Sequence, residues 1–340
     1  MRCFRGKRAR GRKIVLCIRQ NNYRYCRRPF NVSTVSTQPH AKTPDRIVPI
    51  TMPDGSTTPL RLYFPQGFEK RADGDADAAI DAPRGIVIIW PGFGMGGHYY
   101  WPMARELAER GYVAVISELR GQGDQSAVAS HFSVWGYHEI ASQDMPMTVA
   151  EARRVVGEEV PVFFMCHSMG GQIATCYLGR DEADIDGAMY IGSGTPYVGH
   201  FTGADRRRLR IGAPVMRVVS AVLGFWPSGP LDLAGYGRQS RRHLWQWSGM
   251  AMFNRLRVRN ADIDYYTAAG TITTPVLLTT CAGDDDCNSD SAKALTSWMP
   301  QAARFEFIDE RLGHNRWARE PKVIADRFEQ FVGELDAPAD

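Results

Sequence analysis

Val160-Pro161-Val162-Phe163-Phe164-Met165-Cys166-His167-Ser168-Met169-Gly170-Gly171-Gln172 is the stretch that decides how this chain folds. Residues 160–166 are apolar and rich in β-formers, which predicts a short buried strand. Residues 172–179, "QIATCYLG", predict a helix closed by a glycine. A serine on the corner between them is pushed out of the sheet edge on a strained turn. Small residues must flank it, because strand and helix pass very close there. The pattern is G-x-S-x-G with Cys166 in place of the first glycine. Serine with glycine two residues on arises by chance about once or twice in a chain this size. The motif therefore counts only in context.

The context is regular on both sides. Upstream, "RIVPIT" and "TPLRLYF" predict strands joined by a turn at Met52-Pro53-Asp54-Gly55, and residues 68–84 a polar surface loop. "GIVIIW" (residues 85–90) predicts a buried strand, residues 102–110 a helix stopped by Gly111, and "YVAVIS" (residues 112–117) the next strand. Residues 137–156 are largely helical in pattern and lead into the serine strand. Downstream come a strand at residues 185–192, "PVLLTTCA" at 275–282, a helix near 291–298, "RFEFID" at 304–309 and a last helix near 322–332. Strands alternating with helices at this spacing predict a doubly wound, mostly parallel α/β sheet.

Two segments stand outside that rhythm. Residues 195–264 are dense in arginine and aromatics and carry Gly/Pro breaks. An insertion between two core strands is most simply a cap over the site. Within it Leu209, Ile211, Val215, Met216, Val219 and Leu223 fall at helical spacing and predict one apolar stripe, docked on the core or walling an acyl tunnel. Residues 1–44 hold 12 of the 41 Lys+Arg and no acid, which leaves 29 bases against 37 acids, a balance of −8, in the remainder. The expected layout is a basic, disordered extension at 1–44, a core from 45–194 and 265–340, and the cap at 195–264.

Composition narrows the function classes. With 44% hydrophobic and 23% charged residues the chain is of ordinary globular make-up. The mildly acidic globular part gives no reason to expect nucleic acid. Tyr23, Tyr25 and Phe30 interleave with arginines in the head, but a plain extension is favoured over a nucleic-acid arm or a targeting peptide. No run has the length of a membrane-spanning helix. Seven cysteines without paired spacing suggest a reducing, cytoplasmic setting rather than a disulfide framework.

A serine hydroxyl needs a base to become a nucleophile, and the base needs an orienting acid. Both are expected on loops past later strands, in the order Ser, acid, His. Gly283-Asp284-Asp285-Asp286 and Leu312-Gly313-His314-Asn315 supply them, with three aspartates in competition. His314 is the only histidine after Ser168 just beyond a core strand. The oxyanion of a tetrahedral intermediate needs two backbone N–H donors, expected from Met169 and from Phe93 in the loop after residues 85–90.

With these residues in place, the chain resembles the α/β-hydrolase superfamily of serine hydrolases from Arg46 onward, in its monoglyceride-lipase and serine-aminopeptidase-like branch. Pro91-Gly92-Phe93-Gly94 stands where that branch has His-Gly-x-Gly, and Glu118-Leu119-Arg120-Gly121-Gln122-Gly123-Asp124-Gln125-Ser126 where it has Asp-x-Arg-Gly-x-Gly-x-Ser. Gly224-Phe225-Trp226-Pro227 with Trp245-Gln246-Trp247 resembles a bacterial subgroup of predicted hydrolases. The branch's spacing places the acid three residues after the glycine, at Asp286. The resemblance thus implies a hydrolase acting on a small-molecule ester, less readily an amide, thioester or other acyl acceptor, with catalytic Ser168, Asp286 and His314 and no cofactor.

One rival comes from another class. Gly92-x-Gly94-x-x-Gly97 follows a strand, precedes a helix, and has Glu118 at the end of the next strand, as in a dinucleotide fingerprint of an NAD-dependent oxidoreductase. Pro102 argues against it by setting the helix start near Trp101, several residues past the glycines. No histidines sit at metal-ligand spacing, and Cys281/Cys287 lack a second pair.

Overall fold

The computed structural model describes residues 42–68, 82–258 and 260–336; all but the last three residues of the basic head and most of the predicted loop at 68–84 lie outside them. The strands are β1 (Arg46–Thr51), β2 (Thr57–Tyr63), β3 (Ile86–Trp90), β4 (Val113–Ile116), β5 (Val162–His167), β6 (Gly187–Ile191), the two-residue β7 (Phe225–Trp226) and β8 (Gln239–Ser240), β9 (Val276–Cys281) and β10 (Ala303–Ile308). Eight of them form one sheet in the order β1-β2-β4-β3-β5-β6-β9-β10, while β7 and β8 pair separately. β1 and β2 join antiparallel at one edge, and from β4 to β10 every pairing is parallel. The doubly wound α/β sheet is the one predicted.

Alternation along the central strands makes two apolar layers. Ile86, Ile88 and Trp90 of β3 face one core together with Val162, Phe164 and Cys166 of β5. Val87 and Ile89 face the other with Phe163 and Met165. α1 (Trp101–Glu109) and α8 (Lys322–Leu335) cover the second layer through Met103, Leu107, Phe328 and Phe331. The first is covered by α2 (Met145–Val156) and α3 (Met169–Leu178), the former entered through a π-helical stretch at Ile140–Asp144. Strands buried on both faces must be continuously apolar, which is why they read so clearly.

The segment between β6 and β9 is more ordered than its sequence suggests. α4 (Gly203–Leu223) begins six residues before the amphipathic stretch and runs through Pro214. α5 (Arg241–Phe253) packs along it. The single stripe expected on α4 is instead two faces. Met216, with Ala213 and Ser220, turns inward, whereas Ile211, Val215, Val218 and Val222 are exposed. At 100° per residue, Ile211 and Val215 lie over 90° from Met216, so they cannot share its buried side. α6 (Tyr265–Ala269) and α7 (Ser289–Thr296) complete the helices.

Two ion pairs brace the loop after β4. Arg120 is buried against Asp144, with Asp54 3.1 Å away. Arg61 meets Glu118 at 2.9 Å. Removing one partner leaves the other charge buried and unpaired, at a typical cost of about 3–5 kcal/mol. Asp144→Ala is therefore expected to lower the unfolding free energy by about that amount; a change under about 1 kcal/mol in a urea titration would contradict it.

Candidate active site

The candidate residues converge at the carboxyl ends of the parallel strands. Ser168 follows β5, Asp284 follows β9, His314 follows β10, and the Gly92–Phe93 loop follows β3. Ser168 has φ 50° and ψ −116°, outside the ordinary regions for a side-chain-bearing residue. Crowding maintains this. A Cβ on Gly170 would lie 2.8 Å from the carbonyl oxygens of Trp90 and Pro91, and one on Gly171 2.4 Å from Ser193 Oγ. A Cβ on Gly92 would lie 3.3 Å from Ser168 Cβ, so the β3 loop abuts the serine directly. Among the described residues, the backbone N–H groups of Phe93 and Met169 donate to no acceptor. Met169 follows Ser168 directly and Phe93 follows Gly92, whose backbone abuts the serine, so both unpartnered N–H groups lie in segments next to Ser168.

His314 sits where the sequence placed it, but its carboxylate partner is a different aspartate. His314 Nδ1 lies 2.9 Å from Asp284 Oδ1 and 3.0 Å from Oδ2. Asp286, expected in that role, instead accepts from Arg208 Nη2 of α4 at 2.6 Å, with both side chains about half exposed. The expectation of Asp286 is thus corrected to Asp284. Gly283, at φ 77°, turns the chain immediately after the strand, so the very next residue points back over the sheet edge. Asp284 Oδ1 also accepts the N–H groups of Asp286 (3.1 Å) and Cys287 (2.7 Å), which fixes the carboxylate's direction. Its side chain is 2% exposed, that of His314 13%. Burial disfavours the imidazolium, but the charge and hydrogen bond of Asp284 outweigh it and raise the His314 pKa above the usual histidine value.

A second histidine, which the sequence reading left aside, ties the site together. Tyr100 OH is 2.6 Å from His167 Nδ1 and accepts the Gly92 N–H at 3.0 Å. His167 Nε2 is 2.9 Å from the His314 carbonyl oxygen, which can only accept, so Nε2 carries the proton and Nδ1 accepts from Tyr100. Burial, then the neighbouring His314, holds the His167 pKa well below the ordinary range. The signal available in the sequence was a histidine ending an otherwise apolar strand. Cys166 beside it is fully buried, and burial drives its thiol pKa well up, so it packs as a small hydrophobe.

The glycines that imitated a dinucleotide fingerprint serve protein contacts. Cβ atoms on Gly92, Gly94 and Gly97 would strike His167, the Tyr236 backbone and Ile116 respectively, all within 3.0 Å. Glu118 accepts the Gly97 N–H at 2.7 Å and is held by Arg61, so it turns inward rather than toward a ribose. α1 starts at Trp101 with Pro102 in its first turn, as predicted.

The sequence profile of the serine aminopeptidase (S33) family matches residues 81–223. The chain has the α/β-hydrolase fold. No protein of curated function matches it in sequence. Among solved structures, a soluble variant of monoglyceride lipase from Saccharomyces cerevisiae with a substrate analogue is 15% identical, with 90% of this chain and 98% of that one covered at a TM-score of 0.61. An esterase from Exiguobacterium antarcticum is 17% identical over 85% and 99% of the two chains, TM-score 0.51. Est1E from Butyrivibrio proteoclasticus, solved with ferulic acid, is 12% identical over 84% and 98%, TM-score 0.55.

Gly192 is what lets Asp284 and His314 meet. It has φ 59°, and a Cβ there would lie 3.0 Å from both Asp284 Oδ2 and His314 Nδ1. Gly192→Ala is expected to part the pair and remove the influence that raises the His314 pKa. An NMR titration should then show that pKa at or below about 6.5; an unchanged, raised value would contradict this account of Gly192.

Proposed function

We propose that this hydrolase cleaves a carboxylic ester through an acyl-enzyme on Ser168. The observation that carries the reading is the buried Asp284–His314 pair, with the His314 ring 4.8 Å from that of His167, the residue that precedes the strained Ser168. His314 acts as general base toward the Ser168 hydroxyl. Asp284 holds the imidazole tautomer and stabilises the imidazolium formed. The serine oxygen bonds to the acyl carbon, and His314 returns its proton to the leaving alcohol. Water then attacks the acyl-enzyme by the reverse proton path and frees Ser168. The Phe93 and Met169 N–H groups face the oxyanion, each such donor typically being worth about 3 kcal/mol in the transition state.

The insertion serves as the cap. Tyr236 stacks on Phe93 at 4.2 Å between ring centroids, with Trp247 at 5.7 Å. His243 of α5 lies 2.8 Å from Met169 Sδ, and burial pushes its pKa down to about 3, so it stays neutral. These side chains hold both oxyanion residues from above and exclude water. The acyl group is therefore expected to lie under an aromatic roof. No helix of the described residues is long and apolar enough to cross a membrane. We place the enzyme in the cytoplasm, in keeping with buried, unpaired Cys166, Cys176, Cys281 and Cys287.

A fluorophosphonate probe should label wild type and not Ser168→Ala; equal labelling of both would sink the proposal. Asp284→Asn is expected to lower kcat on a p-nitrophenyl ester by about 10⁴-fold, while Asp286→Asn stays within about tenfold of wild type. The reverse ranking would return the acid role to Asp286. The pH profile carries its own sign. Catalysis requires neutral His314, whose pKa is raised, so kcat/KM should fall with acid from a pH above the ordinary histidine value of about 6.5. In the residual activity of Asp284→Asn this limb should move to lower pH, because the raising charge is gone.

A further inference from the structure

α5 has two working faces. His243, Trp247 and Met250 point to the Ser168 side or the core beneath it. Trp245, Gly249 and Phe253 lie on roughly the opposite side of the helix and line a separate pocket of about 400 Å³ between α5 and α4. We propose that this outer pocket binds a single-chain anionic amphiphile, an acyl carboxylate or an alkyl phosphate, with its head among Arg241, Arg255 and Arg257 and its chain along Trp245, Gly249 and Phe253.

Charge gives the head. Among the described residues the pocket is lined by five arginines and no acidic residue. Arg242 is paired with Glu139, and Arg217 lies over the Trp245 ring at 3.7 Å. Arg241, Arg255 and Arg257 have no ion pair or hydrogen bond among the described residues. Three unpaired guanidinium groups around one opening repel each other, and a carboxylate or phosphate relieves that with bidentate bonds.

The chain comes from what α5 leaves out. Gly249 lies in the helix interior, where glycine costs about 1 kcal/mol relative to alanine. Packing does not require it, since a Cβ there would meet only Arg217 Nη1, at 3.8 Å. Its effect is to open the pocket floor beside Trp245 and Phe253. The volume of about 400 Å³ lies within the range of small-molecule sites. A donor is also waiting. Gln246 lines the pocket, its Oε1 accepts the Tyr137 N–H at 2.7 Å, and its Nε2 is buried without a partner among the described residues. A nucleobase is the poorer fit, because it would have to displace Arg217 from the face of Trp245 it covers.

The test titrates the full chain with decanoate, decyl phosphate, decanol and inorganic phosphate by calorimetry. Saturable binding of decanoate or decyl phosphate, at least tenfold tighter than decanol or inorganic phosphate and weakened by salt, is expected. The tighter of the two identifies the head. Arg255→Ala with Arg257→Ala, both exposed residues, should weaken it at least tenfold. Gly249→Leu should abolish it while leaving the melting temperature equal or higher, since it adds helix propensity and fills open space. Decanol binding as tightly as decanoate would reduce the pocket to a greasy crevice and overturn the proposal. So would inorganic phosphate binding as tightly as the amphiphiles. Binding that persists in both variants would place the ligand elsewhere, beside Ser168 for example, and overturn it equally. None of these outcomes depends on whether Ser168 is a nucleophile.

Discussion

The site depends on a shortage of space at the corner between β5 and α3. Gly170 and Gly171 leave no room for a β-carbon against Trp90, Pro91 and Ser193, and Ser168 between strand and helix is forced to positive φ. Such a conformation costs of order 1–3 kcal/mol and persists only when its surroundings over-determine it. Here the surroundings are the most deeply buried parts of the fold, β3 and β5, paired in register from Ile86 with Val162 to Trp90 with Cys166. The register that seats Trp90 beside Cys166 also brings the next residues of both chains together. That is how Phe93, some 76 residues before Met169, comes to lie in the loop next to the same corner. The meeting of these two segments is a consequence of sheet pairing.

What could be read from the sequence follows from which contacts are local. Strands buried on both faces have an unbroken apolar signature, and Ser168, Met169, Phe93 and His314 each sit at a fixed short offset from one, so pattern alone placed them at the strand ends where they lie. The partner of His314 was not legible, because three consecutive aspartates differ only in backbone direction. The αL turn at Gly283 and the two N–H bonds to Asp284 decide which of them faces His314, and neither has a sequence signature. Likewise the two faces of α4 depend on which side meets α5. The contents of residues 209–223 are consistent with either one stripe or two.

The glycine pattern after β3 teaches the complementary lesson. Spacing alone fits a dinucleotide loop, since glycine is needed wherever backbone must approach something closely. A phosphate loop and a packed corner differ in what fills the approached space. Here it is already filled, by His167, by the Tyr236 backbone and by Ile116, with the Glu118 carboxylate on the N–H that a pyrophosphate would need. The proline in the first turn of α1 was the one local clue, because it displaced the helix dipole from the glycines.

His167 connects these strands of the argument. The chain of bonds from Gly92 N–H through Tyr100 OH and His167 to the His314 carbonyl fixes the Gly92–Phe93 loop and the His314 loop to one another. Every member is buried or nearly so, and an unmade bond there would cost the full desolvation of its group. The chain holds only while His167 is neutral, because a protonated Nδ1 could no longer accept from Tyr100. Two histidines with ring centroids 4.8 Å apart cannot easily both be charged, and the fold divides the task between them. Asp284 gives His314 the higher proton affinity, while burial and His314 itself deny the proton to His167. Acid therefore charges the His314 imidazole first and leaves its scaffold intact. On the proposed mechanism, a fall of activity with acid then reports His314 and not a collapse of the site around it.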